Sequence, residues 1–105
     1  MIARLWGARA PRANAARYAA HLRDAVLPLL KVLAGYEGAT LLERPDGNDV
    51  EILVITWWRS LDDIRAFAGD DTERAVVADE ARALLERFDP EVRHFTVALE
   101  DPATA

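Results

Sequence analysis

Arg4, Trp6, His94 and Thr96 are the residues of this chain best suited to chemistry. Arg4 and Trp6 stand two apart in the apolar run 2–8, and His94 and Thr96 stand two apart in the run 92–99. On a strand, a spacing of two puts both members of a pair on one face. If the two strands lie side by side with those faces matched, the four side chains cluster. Arg supplies a fixed charge, Trp a stacking surface, and His a proton acceptor that works near neutrality. Such a set suits an acidic or phenolic ligand. The plainer alternative makes Arg4 and His94 interface residues, satisfied by carboxylates of a partner chain.

Other side chains carry weaker signals. Trp57 and Trp58 alternate along one strand and point to opposite faces, so one packs beneath the helices while the other meets a second surface. Tyr36 opens a strand close to a helix end and is a candidate to line a pocket. Tyr18 falls in a helical apolar stripe and reads as core, and His21, one residue before Leu22 of that stripe, reads as a surface histidine. Two histidines without paired spacing make no metal site. Asp62-Asp63 and Asp70-Asp71 fall at helix starts, where charge–dipole attraction accounts for them. Neither Thr56 nor Ser60 has a histidine near it in sequence, so nucleophilic catalysis has no support.

The bulk of the chain narrows the setting. At 105 residues it forms one domain, here residues 1–99 followed by a loose tail over 100–105. A formal charge of -5 and a pI near 4.9 argue against nucleic acid and anionic membranes as partners. The chain has no cysteine, which removes disulfides and thiolate metal sites. No apolar run approaches the roughly 20 residues of a membrane span. The first residues lack the apolar core of a signal peptide, so a cytoplasmic protein is expected.

The elements that must position these residues follow from periodicity and punctuation. Residues 2–8 read as a strand and 14–32 as a helix, with Tyr18, Leu22, Val26, Leu29 and Leu33 in one stripe. Pro28 should kink that helix or mark its last turn. Residues 36–44 and 50–57 read as strands joined by Pro45-Asp46-Gly47-Asn48, a strong turn signal. Ser60 with Asp63 fits a capping box and starts a short helix that Gly69 stops. A second long helix is expected from about 70–72 to Phe88, ended by Asp89-Pro90, and a last strand over 92–99. On that strand Phe95, Val97 and Leu99 form the more apolar face, expected against the helices, which turns His94 and Thr96 the other way. The order is βαββαβ with an extra short helix after the third strand. This is an α+β, ferredoxin-like arrangement with a four-stranded antiparallel sheet, its first and third strands central and its helices on one face.

The third strand predicts a partner. Its even positions are Val50, Ile52, Val54 and Thr56, and its odd positions are Glu51, Leu53, Ile55 and Trp57. Both faces are apolar, whereas a sheet with one wet face alternates. A second copy is the simplest cover, giving a homodimer.

Several segments together resemble one family. They are Leu27-Pro28 at the end of the first helix, Gly35-Tyr36-Glu37-Gly38-Ala39, the strand 50–56, and Trp58-Arg59-Ser60-Leu61-Asp62-Asp63 with Ile64 and Phe67. This pattern resembles the antibiotic biosynthesis monooxygenase family of dimeric α+β barrels, over nearly the whole chain. The resemblance implies a monooxygenase that acts on a small phenol or quinol without a cofactor. On that view His94 is the base, Arg4 holds developing negative charge, and Trp6, Trp58 or Tyr36 orient the ring, with Phe67 and Thr96 beside them. The family's haem degraders use an Asn on the first strand, a Trp in the short helix and a His in the second long helix. This chain has no Asn on its first strand, and Phe67 and Val77 stand near the other two positions, which points away from haem. The alternative function is a non-catalytic small-molecule-binding or stress-associated homodimer in which Arg4 and His94 close the interface.

Overall fold

The β2–β3 hairpin is the element that local chemistry dictates most directly. The computed structural model describes residues 1–103. In it β2 (Tyr36–Asp46) and β3 (Asp49–Trp58) are joined by Gly47-Asn48, and Asp46 pairs with Asp49. Gly47 takes φ 62°, a value that two-residue hairpin turns require and glycine adopts without strain. On its other side β3 pairs antiparallel with the whole of β1 (Ile2–Pro11), from Ile2↔Trp58 to Pro11↔Asp49. The sheet order is β2-β3-β1-β4, with the first and third strands central as expected.

The far edge carries the first correction. It is two pieces, β4 (Arg87–Phe88) and β5 (Arg93–Thr96), so the sheet has five strands, not four. From Ala8 to Leu5 β1 advances three residues while the edge advances five, Phe88 to Arg93. The surplus loops out at Asp89-Pro90, where proline has no N–H to give the ladder. Other backbone takes over: Ala75 N–H donates to Pro90 O at 2.9 Å and Val92 N–H to Glu73 O at 2.7 Å.

That pairing explains the second correction. The expected long helix is reduced to α4 (Asp79–Leu84). Residues 70–78 instead run irregularly beside 90–92, joined by an Arg74↔Glu91 bridge. Phe88 leaves the helical pattern for β4. The sequence periodicity there is real, but strand-like pairing at the sheet edge satisfies the same backbone groups.

The first helical region is longer at its start than expected. It comprises α1 (Arg12–His21), a π-helical turn (Leu22–Val26) and α2 (Leu27–Leu30), so Pro28 does fall in the last turn. Leu27 N–H bonds back to Leu22 O, five residues away. This wider turn stands directly before Pro28, the residue whose ring an ordinary helical turn would not accommodate. After β3, α3 (Leu61–Ala68) begins at Ser60, whose hydroxyl accepts from Asp63 N–H at 3.3 Å and donates to the Asp63 carboxylate at 2.8 Å.

The helices cover one face of the sheet. Ala8, Ala10, Ile52 and Val54 meet Tyr18, Leu22 and Ala81 there, and Trp58, Leu30 and Ile64 form a second buried cluster. Small residues at 8 and 10 give the helices room to approach. The even-numbered residues of β1 and β3 therefore face inward, and Arg4, Trp6 and His94 go with them. The expectation that Arg4, Trp6, His94 and Thr96 turn away from the helices is reversed. Phe95, expected inside, is 48% exposed, and Leu99 is 86% exposed. Alternation alone cannot say which of two apolar faces the helices choose. Residues 100–103 are exposed and without regular structure, and the last two residues of the expected tail lie outside the described residues.

The turn into α3 gives a measurable expectation. Gly35 has φ 84°, and a Cβ there would overlap the Asp63 carboxylate. Ser60→Ala should lower the unfolding free energy by about 1 kcal/mol. Gly35→Ala should cost more, since strain and overlap add. Urea midpoints at unchanged m would report both, and equal midpoints for Gly35→Ala and wild type would refute the packing role of that turn.

Candidate functional site

A row of three side chains crosses the sheet under the helices: His94 on β5, Arg4 on β1 and Thr56 on β3. Register places them directly opposite one another, Arg4↔His94 and Arg4↔Thr56. Above this row lies a cavity of about 70 Å³ between the sheet, the first helical region, Phe67 of α3 and residues 76–78. Arg4, Trp6, Val54 and Thr56 form its floor, and Tyr18, His21 and Leu22 line the helical side. Val76, half exposed, stands with Val77 at the irregular segment.

Arg4 is only 4% exposed. Its guanidinium donates to the carbonyls of Thr72 and Arg74, the latter at 3.0 Å, and lies 2.9 Å from His94 Nε2. It sits 5.7 Å from the centre of the Phe67 ring. Among the described residues it makes no ion pair with a carboxylate. Burial pulls its pKa down to about 10, so it remains a full cation at neutral pH. A buried cation solvated only by carbonyl dipoles and a neutral ring is an electrostatic attractor for an anion.

His94 is half-buried. Burial, and then the charge of Arg4, hold its pKa below the usual histidine value, with Glu73 pulling weakly the other way. The ring is therefore neutral, and Nε2 accepts from Arg4. His94 does not line the cavity; it stands behind Arg4.

The remaining candidates separate by one pleat. Trp6 lines the cavity, its indole N–H held by Asp89 O at 2.8 Å and its ring 6.1 Å from Tyr18. Phe67 also lines it. Trp58 is fully buried one row further along, stacked on Phe67 at 6.1 Å, with Tyr36 edge-on to it at 5.5 Å. Thr96, exposed opposite Ile2, belongs to that outer row too. Trp58, Tyr36 and Thr96 thus share the face but not the cavity.

Three residues of the site were not expected there. His21, read as a surface histidine, is half-buried and lines the cavity, as does Tyr18. Their spacing of three puts both on one helix face with Leu22, which is the sequence signal that links them. Burial keeps the Tyr18 hydroxyl protonated by pushing its pKa up. Thr56, dismissed as a nucleophile, is buried on the cavity floor.

A family model described as antibiotic biosynthesis monooxygenase matches residues 1–79. The chain belongs to the antibiotic biosynthesis monooxygenase family. The matched part carries β1, β3, Phe67 and the segment that encloses Arg4. Solved structures share the fold at low identity. A putative antibiotic biosynthesis monooxygenase from Bacillus cereus is 12% identical with TM-score 0.72, covering 100% of this chain and 98% of its own. A monooxygenase of Streptomyces coelicolor, from the gene ActVA-Orf6 and in complex with nanaomycin D, is 14% identical with TM-score 0.70, covering 98% and 92%. The haem degrader MhuD of Mycobacterium tuberculosis, with two haems in its active site, is 19% identical with TM-score 0.59, covering 97% and 100%. No curated protein matches the sequence. Among the described residues, no helix is long and apolar enough to cross a membrane.

The Arg4–His94 contact predicts a titration. A histidine held below its ordinary value of 6.5 binds fewer protons folded than unfolded. Folding stability should therefore fall as pH drops below about 6.5 and level off once folded His94 protonates. In Arg4→Met the His94 pKa should rise part of the way back, because burial remains. An NMR titration of the imidazole protons checks this, and an unchanged pKa would sever the coupling.

Proposed function

We propose that this chain is a monooxygenase that acts on a small electron-rich aromatic, a phenol or quinol, and works without a resident cofactor. One observation carries the reading: the buried cation of Arg4 lines an aromatic-walled cavity and, among the described residues, has no carboxylate to neutralise it. An ionised ring hydroxyl supplies the missing charge, and Trp6 and Phe67 supply the ring contacts. His21 is the imidazole on the cavity wall and takes the hydroxyl proton; His94 holds Arg4 in place. The anion passes one electron to dioxygen, and the radical pair joins through a C–O–O⁻ bond. Protonation and loss of water then leave a carbonyl at that carbon, so one oxygen atom ends on the ring and the other in water.

A cavity of about 70 Å³ is smaller than a ring needs, so binding must displace part of the wall. The wall most easily displaced is the irregular segment 70–78, which Arg4 tethers through Thr72 and Arg74. An incoming anion competes for the same N–H groups. Entry and binding are thereby one exchange.

We further infer a homodimer through the sheet face away from the helices. Leu5, Leu53, Ile55 and Trp57 lie on that face and are only partly covered, with Leu42 and Phe95 exposed beside them. A patch of this kind on a small domain calls for a partner, and a second copy pairs like surfaces across a two-fold axis. Arg4 and His94, being on the other face, take no part in that interface.

Oxygen-electrode assays with a panel of quinols should show one dioxygen consumed per substrate. Arg4→Met should lower kcat/KM on the order of 100-fold. Binding without oxygen uptake across the panel would leave a binding protein. Leu53→Asp should convert a dimer to a monomer in light scattering, and a monomeric wild type at micromolar concentration would refute the dimer.

A further inference from the structure

We propose that Thr56 is a specificity-determining donor to the anionic oxygen of the substrate, and that the buried Trp58 sets the direction of its hydrogen bond. The proposal rests on the reading that Arg4 binds an ionised aromatic hydroxyl. Thr56 stands directly across the β1–β3 ladder from Arg4, and the two are 7% and 4% exposed. Both line the floor of the cavity.

Trp58 Nε1 donates to Thr56 Oγ1 at 2.9 Å. An indole N–H has no lone pair, so this bond makes Thr56 the acceptor and turns its own proton elsewhere. The oxygen is held in turn by the restricted rotamers of a β-branched side chain. Trp58 cannot swing away, being fully buried, stacked on Phe67 and packed with Leu30 and Ile64. The result is an O–H whose donor direction is fixed before any ligand arrives, which is the condition for charge-selective binding.

Arg4 by itself lacks this directionality. A guanidinium has five N–H donors, and bonds to Thr72, Arg74 and His94 already engage three of them. It supplies the charge, while Thr56 supplies a short, aimed bond. Both groups donate, so the floor favours an oxygen that only accepts. Ionised hydroxyls are selected over protonated ones, and methyl ethers, which carry neither charge nor an unshielded oxygen, are rejected.

The test uses 4-nitrophenol, whose ionisation is read directly by its absorbance, bound to the full chain. Wild type should lower the pKa of the bound ligand. Thr56→Val keeps the shape and removes the hydroxyl, and should raise that pKa by about one unit. Trp58→Phe keeps an aromatic ring at the site and removes the N–H, and should raise it by less, while Thr56→Ser should restore most of the wild-type value. A folded Thr56→Val that binds 4-nitrophenol with the wild-type pKa overturns the proposal. If Arg4→Met shifts the pKa while Thr56→Val does not, the Thr56 role alone fails. If wild type leaves the ligand's pKa unmoved, the underlying reading of Arg4 fails with it.

Discussion

A positive charge buried without a carboxylate partner among the described residues organises this protein. The guanidinium of Arg4 loses its water on folding, and the structure replaces that water with two carbonyls of the segment 70–78 and one imidazole nitrogen of β5. Two separate stretches of chain are thereby drawn to one residue of the first strand. The irregular segment lies over the cavity because its carbonyls solvate the cation. Burial, and then the same cation, hold the His94 pKa below the usual histidine value. Replacing any of these partners by an apolar group would leave the charge more exposed to the cost of burial.

The two faces of the sheet divide the work. The inner face carries the polar row of His94, Arg4 and Thr56 under an otherwise apolar roof. The outer face carries Leu53, Ile55 and Trp57, which the described chain covers only in part. A sheet this small cannot bury both faces with the helices it has. Membership of the antibiotic biosynthesis monooxygenase family accords with this plan, and the likeness to solved structures of such low identity is a likeness of fold.

Most of the fold was legible before any coordinates. The Pro45-Asp46-Gly47-Asn48 turn, the Ser60–Asp63 cap and the apolar run of β3 are local signals, and each produced the element it announced. The last third of the chain was harder to read. Residues 70–78 read as the start of a helix, yet they pair with 90–92, because the partner that satisfies their backbone lies across a proline-broken sheet edge. A signal carried by contacts some twenty residues away has no local trace.

The candidate site divides in the same manner. Sequence alone determined that Arg4 and Trp6 share a face and that Trp57 and Trp58 part company, since strand alternation admits no other outcome, and it grouped His94 with the first pair only on the condition that the two strands lie side by side. It could not decide which face the helices cover, because both were apolar, and so it turned the cluster outward. Only the tertiary structure put Tyr18, His21 and Thr56 around Arg4 and left Trp58, Tyr36 and Thr96 one pleat away. Alternation resolves the side of a sheet but not the position along it, and a cavity is a property of where helices stop, which no single strand encodes.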